Sequence, residues 1–594
     1  MTYEEMYALL SNLPENRLPA ALDVSLEEKR QQLLAKDVYK KYLAQMSDRA
    51  EQYRAEPATA SPFSAFKLFE TTGDRIEYNK YYFSNRGRMA TFALMTWLYG
   101  REEDIHALED ALWAVCDEYT WCLPPHLAGT GLTKVQNGNH IIDLFAAETA
   151  CAIGEILALV GEKLAPIVVK RARYLVQERV LERFLQVECN WEHAKSNWAA
   201  VCAGSVGMAA FYEAKDTEQL ARITHRLQGA MESYVSSFPA DGTSMEGISY
   251  WTYGFSFFAS YAEMLLRMTK GAIDWFKDER VRQVALFQQK AYFENYNIIK
   301  FADCGKSDTA HWWGLTSYLK SRFDEIEFLP RDYYTDYPGD PYYRWAPFLR
   351  DLVWSDDTYP ANNKSGKCYI QPDAQWLICN SKTGIGMAAK GGSNDETHNH
   401  NDVGHLQLFK NGDEVLVDCG SGNYTRDYFG PKRYNLFITG SQGHSVPVVD
   451  GCYQKAGAEY RAADVSFGEW FMEMDIAPAY GLENLRSLRR RIAFEEETGK
   501  VELTDTYDFS APAWEIVERF ISYSEPAFEE GKAILTGPKS VTILCFDPAL
   551  EPSVTVENPA RAGNNSDVAG KPVYVLDFKA KKPETKCTFT FTIV

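Results

Sequence analysis

The sequence predicts an α+β multidomain protein: an N-terminal helical toroid or solenoid over residues 1–350, followed by a C-terminal antiparallel β-sandwich over residues 351–594. Three observations carry this. The apolar period is helical up to about Arg350. It becomes the two-residue period of strands after about Tyr359. The stretch between, 328–359, is rich in Pro, Tyr and Asp and has no clear period, as befits a linker or long ordered connection.

In the first part, segments 89–98, 141–160, 167–184, 199–212, 220–235 and 251–268 repeat apolar residues at helical spacing. Leu123-Pro124-Pro125, Gly138, Pro239-Ala240-Asp241-Gly242 and Gly305 punctuate them. So many segments suit a curved toroid or solenoid better than a four-helix bundle. In the second part, 404–409, 414–418, 446–449, 489–494, 501–507, 516–521, 540–546 and 588–594 are β-branched or aromatic, bounded by Gly, Pro, Asn or Asp.

At 594 residues the chain exceeds what one hydrophobic core usually supports, and its 45% hydrophobic and 24% charged residues are ordinary globular usage. Aromatic side chains make up 14% and offer flat faces that stack on sugar rings as well as fill cores. A net charge of −20 argues against a nucleic-acid partner. No segment approaches about 18 uninterrupted apolar residues, so no membrane partner is expected. The acidic start MTYEEMYALL is unlike a signal peptide, and the expected location is the cytoplasm. A homo-oligomer is compatible with all of this. Twelve scattered cysteines without a CxxC pair read as reduced, mostly buried thiols.

Chemistry concentrates in the histidines. The chain has ten, and every one after residue 360 falls within Thr397-His398-Asn399-His400-Asn401-Asp402-Val403-Gly404-His405 or Gly443-His444. On an extended strand His398 and His400 face the same side. Asp402, Asp418 and His444 are near enough in sequence to join them in a His, Asp, His metal site of zinc type. Asn411-Gly412 marks a hairpin. A strict two-residue loop pairs Asp418 with His405, whereas a three-residue loop with a bulge pairs it with Leu406, on the His400 face. The bland alternative is that these side chains only satisfy turns and sheet edges.

Two further clusters lie in the helical part. In Asn190-Trp191-Glu192-His193-Ala194-Lys195-Ser196-Asn197-Trp198, His193 and Asn197 share a face if the segment is helical. Asn197 could instead cap the apolar helix starting at Trp198. From Asp241 to Gly254 a turn runs into a helix that places Glu246, Tyr250 and Tyr253 on one face. A tyrosine there exchanges protons if cationic neighbours lower its pKa from about 10. Otherwise it is a half-buried packing residue with its hydroxyl tied to backbone.

Together these clusters resemble the heparinase II/III family of polysaccharide lyases. The carriers are HNHNDVGHLQLFKNGDEVLVDCGSGNYT and GHSVPVVDG, with weaker SNWAAV and DGTSMEGISYWTYG, spanning about residues 130–460. The resemblance implies an (α/α) toroid followed by an antiparallel β-sandwich. It also implies β-elimination on uronic-acid polysaccharides of glycosaminoglycan type, with alginate as the alternative polymer, leaving 4,5-unsaturated uronate ends. Carried over residue by residue, it implies His400, Asp418 and His444 as ligands of a divalent ion, a structural zinc. It makes His398 a catalytic or carboxylate-contacting histidine, Asn197 the carboxylate neutraliser, and Tyr253, with Tyr250 second, the proton donor.

The chemistry asks for these residue types. A uronate C5 proton is weakly acidic, so the adjacent carboxylate must be neutralised and the dianion stabilised, the work of Asn197 with His398. One tyrosine serves as base and then acid if proton and leaving group share a face; His398 or His193 would serve the other epimer. Glu246, Lys195 and Arg88 are candidate substrate contacts. No arginine stands near Tyr253 in the sequence, so Lys195, Arg86, Arg88, Lys306 and Arg426 are candidates for carboxylate or sulfate binding. Without a signal peptide the expectation is an enzyme that finishes imported oligosaccharides, exolytically. Two other classes compete: a toroid-fold glycoside hydrolase acting on uronates with Asp241, Glu246 or Asp303 as acid and base, and a non-catalytic carbohydrate binder. The first leaves the HNHND cluster unexplained.

Overall fold

The computed structural model describes residues 1–594 except 14–24, 57–59, 128–139, 294–296, 306–310, 331–333, 335, 338, 423, 425–426 and 560–570. Gly138, Lys306 and Arg426 therefore lie outside the described residues. The chain forms two compact units. The first is Met1–Ser237, Trp251–Ala285 and Thr309–Ala361; the second is Phe238–Tyr250, Leu286–Asp308 and Asn362–Val594. A single boundary at 350/351 does not carry the two excursions, 238–250 and 286–308, that pack with the later residues.

The first unit is helical. Its longest helices include Asp37–Ala55, Ile76–Leu98, Leu144–Val160, Asn197–Glu213 and Thr217–Val235. Leu144–Val160 and Asn197–Glu213 are apolar nearly all round, are buried nearly all round and pack on each other, the pattern of inner helices. Thr217–Val235 is amphipathic and buries Leu220, Ile223, Leu227, Met231 and Tyr234 on one face. Close approach of the helices relies on glycine: a Cβ at Gly207 would meet the Tyr261 ring at 2.3 Å. The helix expected over 167–184 runs from Pro166–Val176 through a π-turn at Gln177–Leu181 to Glu182–Phe184.

The second unit is antiparallel throughout its described ladders. One sheet orders Cys368–Gln371, Trp376–Asn380, Ile385–Lys390, Leu406–Lys410 and Asp413–Leu416. An eight-stranded sheet has Leu485–Phe494, Val501–Phe509 and Lys586–Ile593 at its centre, and a four-stranded one contains Ile516–Ser522 and Val573–Ala580. The alternation read from the sequence is real: Leu488, Ile492, Leu503, Phe520, Phe578 and Phe591 point into one apolar core. Arg490 crosses that core. It pairs with Asp505 at 2.8 Å and donates to the Gly404 and Ser445 carbonyls at 2.9 and 3.0 Å. The buried guanidinium thus ties together the two loops that carry the clustered histidines.

The hairpin combines both of the expected alternatives. Lys410 pairs with Asp413 across a two-residue turn, with Asn411 (φ 52°) and Gly412 (φ 93°) both left-handed. A bulge then sets Leu408 opposite Leu416, the register that points Asp418 toward Leu406, although the ladder ends at Leu416.

Candidate functional site

In the second unit, the histidine cluster is built on a loop instead of a strand. Residues 395–405 form turns, and His398 has a left-handed backbone (φ 58°), so the expected alternation of strand faces does not apply. Instead, His398 and His400 clasp one carboxylate from two directions. His398 Nδ1 lies 2.7 Å from Asp303 Oδ2, and His400 Nε2 lies 3.1 Å from Asp303 Oδ1. Arg433 Nη2 (2.8 Å) and the Tyr428 hydroxyl also bind Asp303. Burial alone would raise the Asp303 carboxyl, but the two imidazoles and Arg433 hold it well below the usual carboxylate range. It is a fixed anion, unlike the acid or base of a hydrolase. Asp241 is likewise committed, its oxygens accepting the Thr243, Asp373 and Ala374 amides.

The His398 ring stacks on Tyr250 (centroids 4.3 Å apart, 22° between planes), and the Tyr250 hydroxyl meets that of Tyr424 at 2.6 Å. Glu246 Oε1 sits 3.6 Å from His398 Nε2. The helix Ile248–Met268 starts two residues after Glu246, with Gly247 at φ 90° between them, so Glu246 belongs to the turn and not to the helical face of Tyr250 and Tyr253.

His400, Asp418 and His444 bring one ligand atom each within 4.8 Å of one another, all buried. Hydrogen bonds assign the tautomers. His400 directs Nε2 at Asp303, and His444 directs Nδ1 at the Gly440 carbonyl, 2.9 Å away. His400 Nδ1 and His444 Nε2 then face each other at 3.2 Å, and against burial the neighbouring Asp418 carboxylate raises His444 above its ordinary value. Asp418 Oδ2 has no hydrogen-bond partner among the described residues. Two ring nitrogens opposed beside a carboxylate oxygen are a donor set that a cation would complete by replacing a ring proton, and Asp303 is the outer carboxylate that orients His400. His405 is not part of it. Its Nδ1 accepts the Ser445 amide, which leaves the proton on Nε2, 3.6 Å from Asp418. Asp402 is taken by Lys390 at 2.8 Å.

In the first unit, Asn197 is the first residue of Asn197–Glu213, after Ser196 at the cap, and is 2% exposed. It neither caps the helix nor shares one with His193. The 3₁₀ turn Asn190–His193 ends before an extended Ala194, and His193 lies on the surface beside Glu188. Lys195 is exposed too. Asn197 instead packs where the Tyr-Gly pair brings two helices together: a Cβ at Gly254 would come within 3.1 Å of the Asn197 Cβ and 2.8 Å of Tyr234 Oη.

Tyr253 donates its hydroxyl to Glu148 Oε1. The Arg344 guanidinium lies 3.7 Å over the Tyr253 ring, so an arginine does stand beside this tyrosine, from 91 residues further along the chain. It does not lower the phenol. Burial and the Glu148 charge raise Tyr253 well above its ordinary value, against Arg344. Burial also pushes the Glu148 carboxyl up to about 7. Arg88 and Arg86 are buried internal groups, Arg88 on the Tyr53 carbonyl and Arg86 on Glu118. Asp303 as a brace, Glu148 and Arg344 escaped the sequence reading. The one local signal was Glu148 itself, an acid inside an apolar helix.

No protein-family model matches the sequence, and no curated protein is significantly similar to it. Solved structures share its fold. Heparinase III aligns with 100% of this chain and 89% of its own (TM-score 0.63, 14% identity). Heparan sulfate lyase HepC from Pedobacter heparinus aligns with 96% and 87% (TM-score 0.60, 13% identity). Chondroitin AC lyase from Streptomyces coelicolor A3, in complex with chondroitin sulphate, aligns with 96% and 82% (TM-score 0.55, 13% identity). Helical unit and β-sandwich together, the chain has the fold of heparinase III and heparan sulfate lyase HepC.

Proposed function

We propose that this protein is a polysaccharide lyase that cleaves glycosaminoglycan-type chains by β-elimination. The observation that carries the reading is Tyr253, a phenol hydrogen-bonded to one carboxyl group and covered by one guanidinium, with Asn197 packed beside Gly254. Burial and Glu148 oppose a free phenolate, so the proton route open to this phenol is the hydrogen bond to Glu148, whose carboxyl is pushed up to about 7. The fold shared with heparan sulfate and chondroitin lyases supports the same chemistry.

In this reading Tyr253 takes the uronate C5 proton and returns it to the departing O4. Asn197 neutralises the uronate carboxylate with a neutral amide. In the second unit His398, oriented through Nδ1 by Asp303, is the candidate catalytic histidine. Tyr250 holds the His398 ring by stacking. His193, Lys195 and Arg88 have no part in the chemistry. A divalent ion on His400, Asp418 and His444 is a structural zinc that braces the loop carrying His398; the imidazole-rich donor set suits that metal.

The test is the ultraviolet absorbance of conjugated 4,5-unsaturated ends, followed on hyaluronan, chondroitin sulfates, heparan sulfate, heparin and alginate. A rise on a glycosaminoglycan, lost in Tyr253→Phe, is expected. A flat trace on every polymer from folded protein would sink the reading, and a rise on alginate alone would move the substrate class.

A further inference from the structure

Helix Leu144–Val160 carries two acids, and they are used differently. Glu155 is closed off by Arg350 in a two-pronged pair at 2.8 and 3.1 Å. Among the described residues Glu148 has no such two-pronged partner. Its Oε1 accepts the Tyr253 hydroxyl, and Arg344 reaches only to 3.9 Å of Oε2 while bonding Asp340 at 2.9 Å. The Glu148 side chain is nine-tenths buried. The other ionisable groups facing this pair are Asp340, Tyr342 and Arg344 from one segment, Asp143 at the foot of the same helix, and the thiols of Cys151 and Cys202.

A free Tyr253 phenolate is disfavoured here, since burial and Glu148 both oppose it. The geometry points to Glu148 as the positioning residue that stores the proton of Tyr253 during turnover, so that no phenolate forms. This inference rests on the lyase reading above. As the C5–H bond breaks, its proton moves to Tyr253 Oη while the phenol's own proton moves to Glu148 Oε1. The carbon electron pair remains on the carboxylate-stabilised substrate. It then forms the C4–C5 double bond as the C4–O4 bond breaks. Tyr253 gives its proton to O4, and Glu148 returns the stored proton to Tyr253. The substrate has lost a C5 proton and gained one on O4, and both side chains are restored. Glu148 must be ionised to start, and its carboxyl, pushed up to about 7 by burial, titrates close to neutrality, where a relay base is most useful. Arg344 over the ring keeps the phenol in line.

The experiment is the pH profile of kcat and KM for wild type, Glu148→Gln and Glu148→Asp, with circular dichroism to show each is folded. Expected is an acid limb near pH 7 in the wild type, retained in E148D at reduced rate. In E148Q the limb vanishes and kcat falls about 10²–10⁴-fold with KM little changed. An E148Q enzyme that keeps both limb and rate, or one that loses rate while keeping the limb, overturns the proposal. A wild type silent on all polymers fails the lyase reading instead, and the two failures are distinct. Infrared difference spectra of wild type against E148Q give a readout without substrate: a protonated-carboxyl band near neutrality, absent in E148Q, is expected. Its absence in the wild type counts against Glu148 as the store.

Discussion

At Gly254 a single hydrogen in place of a side chain decides where the two proposed catalytic groups, Tyr253 and Asn197, sit. The residue lets Tyr253 and Asn197 share one seam, because any Cβ there would press on Asn197 and on the buried Tyr234 hydroxyl. Gly254→Ala should cost about 1–3 kcal/mol of stability by overpacking and lower turnover by displacing the phenol. Urea unfolding checks the first part, and an unchanged midpoint would count against it. Neither Glu148 nor Arg344 was legible as a partner of Tyr253, because each lies about a hundred residues away and only the packing of three separate segments joins them. By contrast the family resemblance named His400, Asp418 and His444 together, while the hairpin alone left the register of Asp418 open; the structure brings one ligand atom of each within 4.8 Å of the others.

Helices and strands were the most readable level, because burying one face imposes a period that survives any topology. The region that failed was 395–405, where the histidine alternation suggested a strand. There the backbone obeys Asp303, Thr439 and Arg490, none of them local. The ends of helices also hold chemistry that periodicity does not show. Glu213 closes Asn197–Glu213 with its side chain buried, so burial pushes its carboxyl up to about 7 against the pull of Arg173. Both the folded and unfolded states protonate it below its ordinary pKa. As pH climbs from about 4.5 to 7, the unfolded chain ionises first, and folding loses stability across that window. Glu213→Gln should remove about 1–3 kcal/mol of that loss, raising the thermal midpoint at pH 8 relative to wild type but not at pH 5. Equal shifts at both values would refute it.

For the whole molecule, the two excursions matter more than the boundary. Residues 238–250 and 286–308 supply the second unit with Asp303, with Lys300 on Glu414 at 2.7 Å, and with Thr243 on Gln371 at 2.6 Å. A chain truncated to residues 362–594 should therefore lack cooperative thermal unfolding, measured by near-ultraviolet circular dichroism, despite containing every strand of the three larger sheets. A sharp transition in that fragment would show the excursions to be dispensable.

The same interleaving imposes an order on synthesis. Phe293, Ile298, Ile299 and Phe301, all buried in the finished protein, leave the ribosome before any of the sheet strands from Cys368 onward that they will join. At roughly 5–20 residues per second, they wait on the order of ten seconds or more, tethered within a helical unit that can be completed first. A newborn chain thus carries a sticky, unfinished ribbon into the second half of its translation, and a chaperone that shields apolar segments would find its target there.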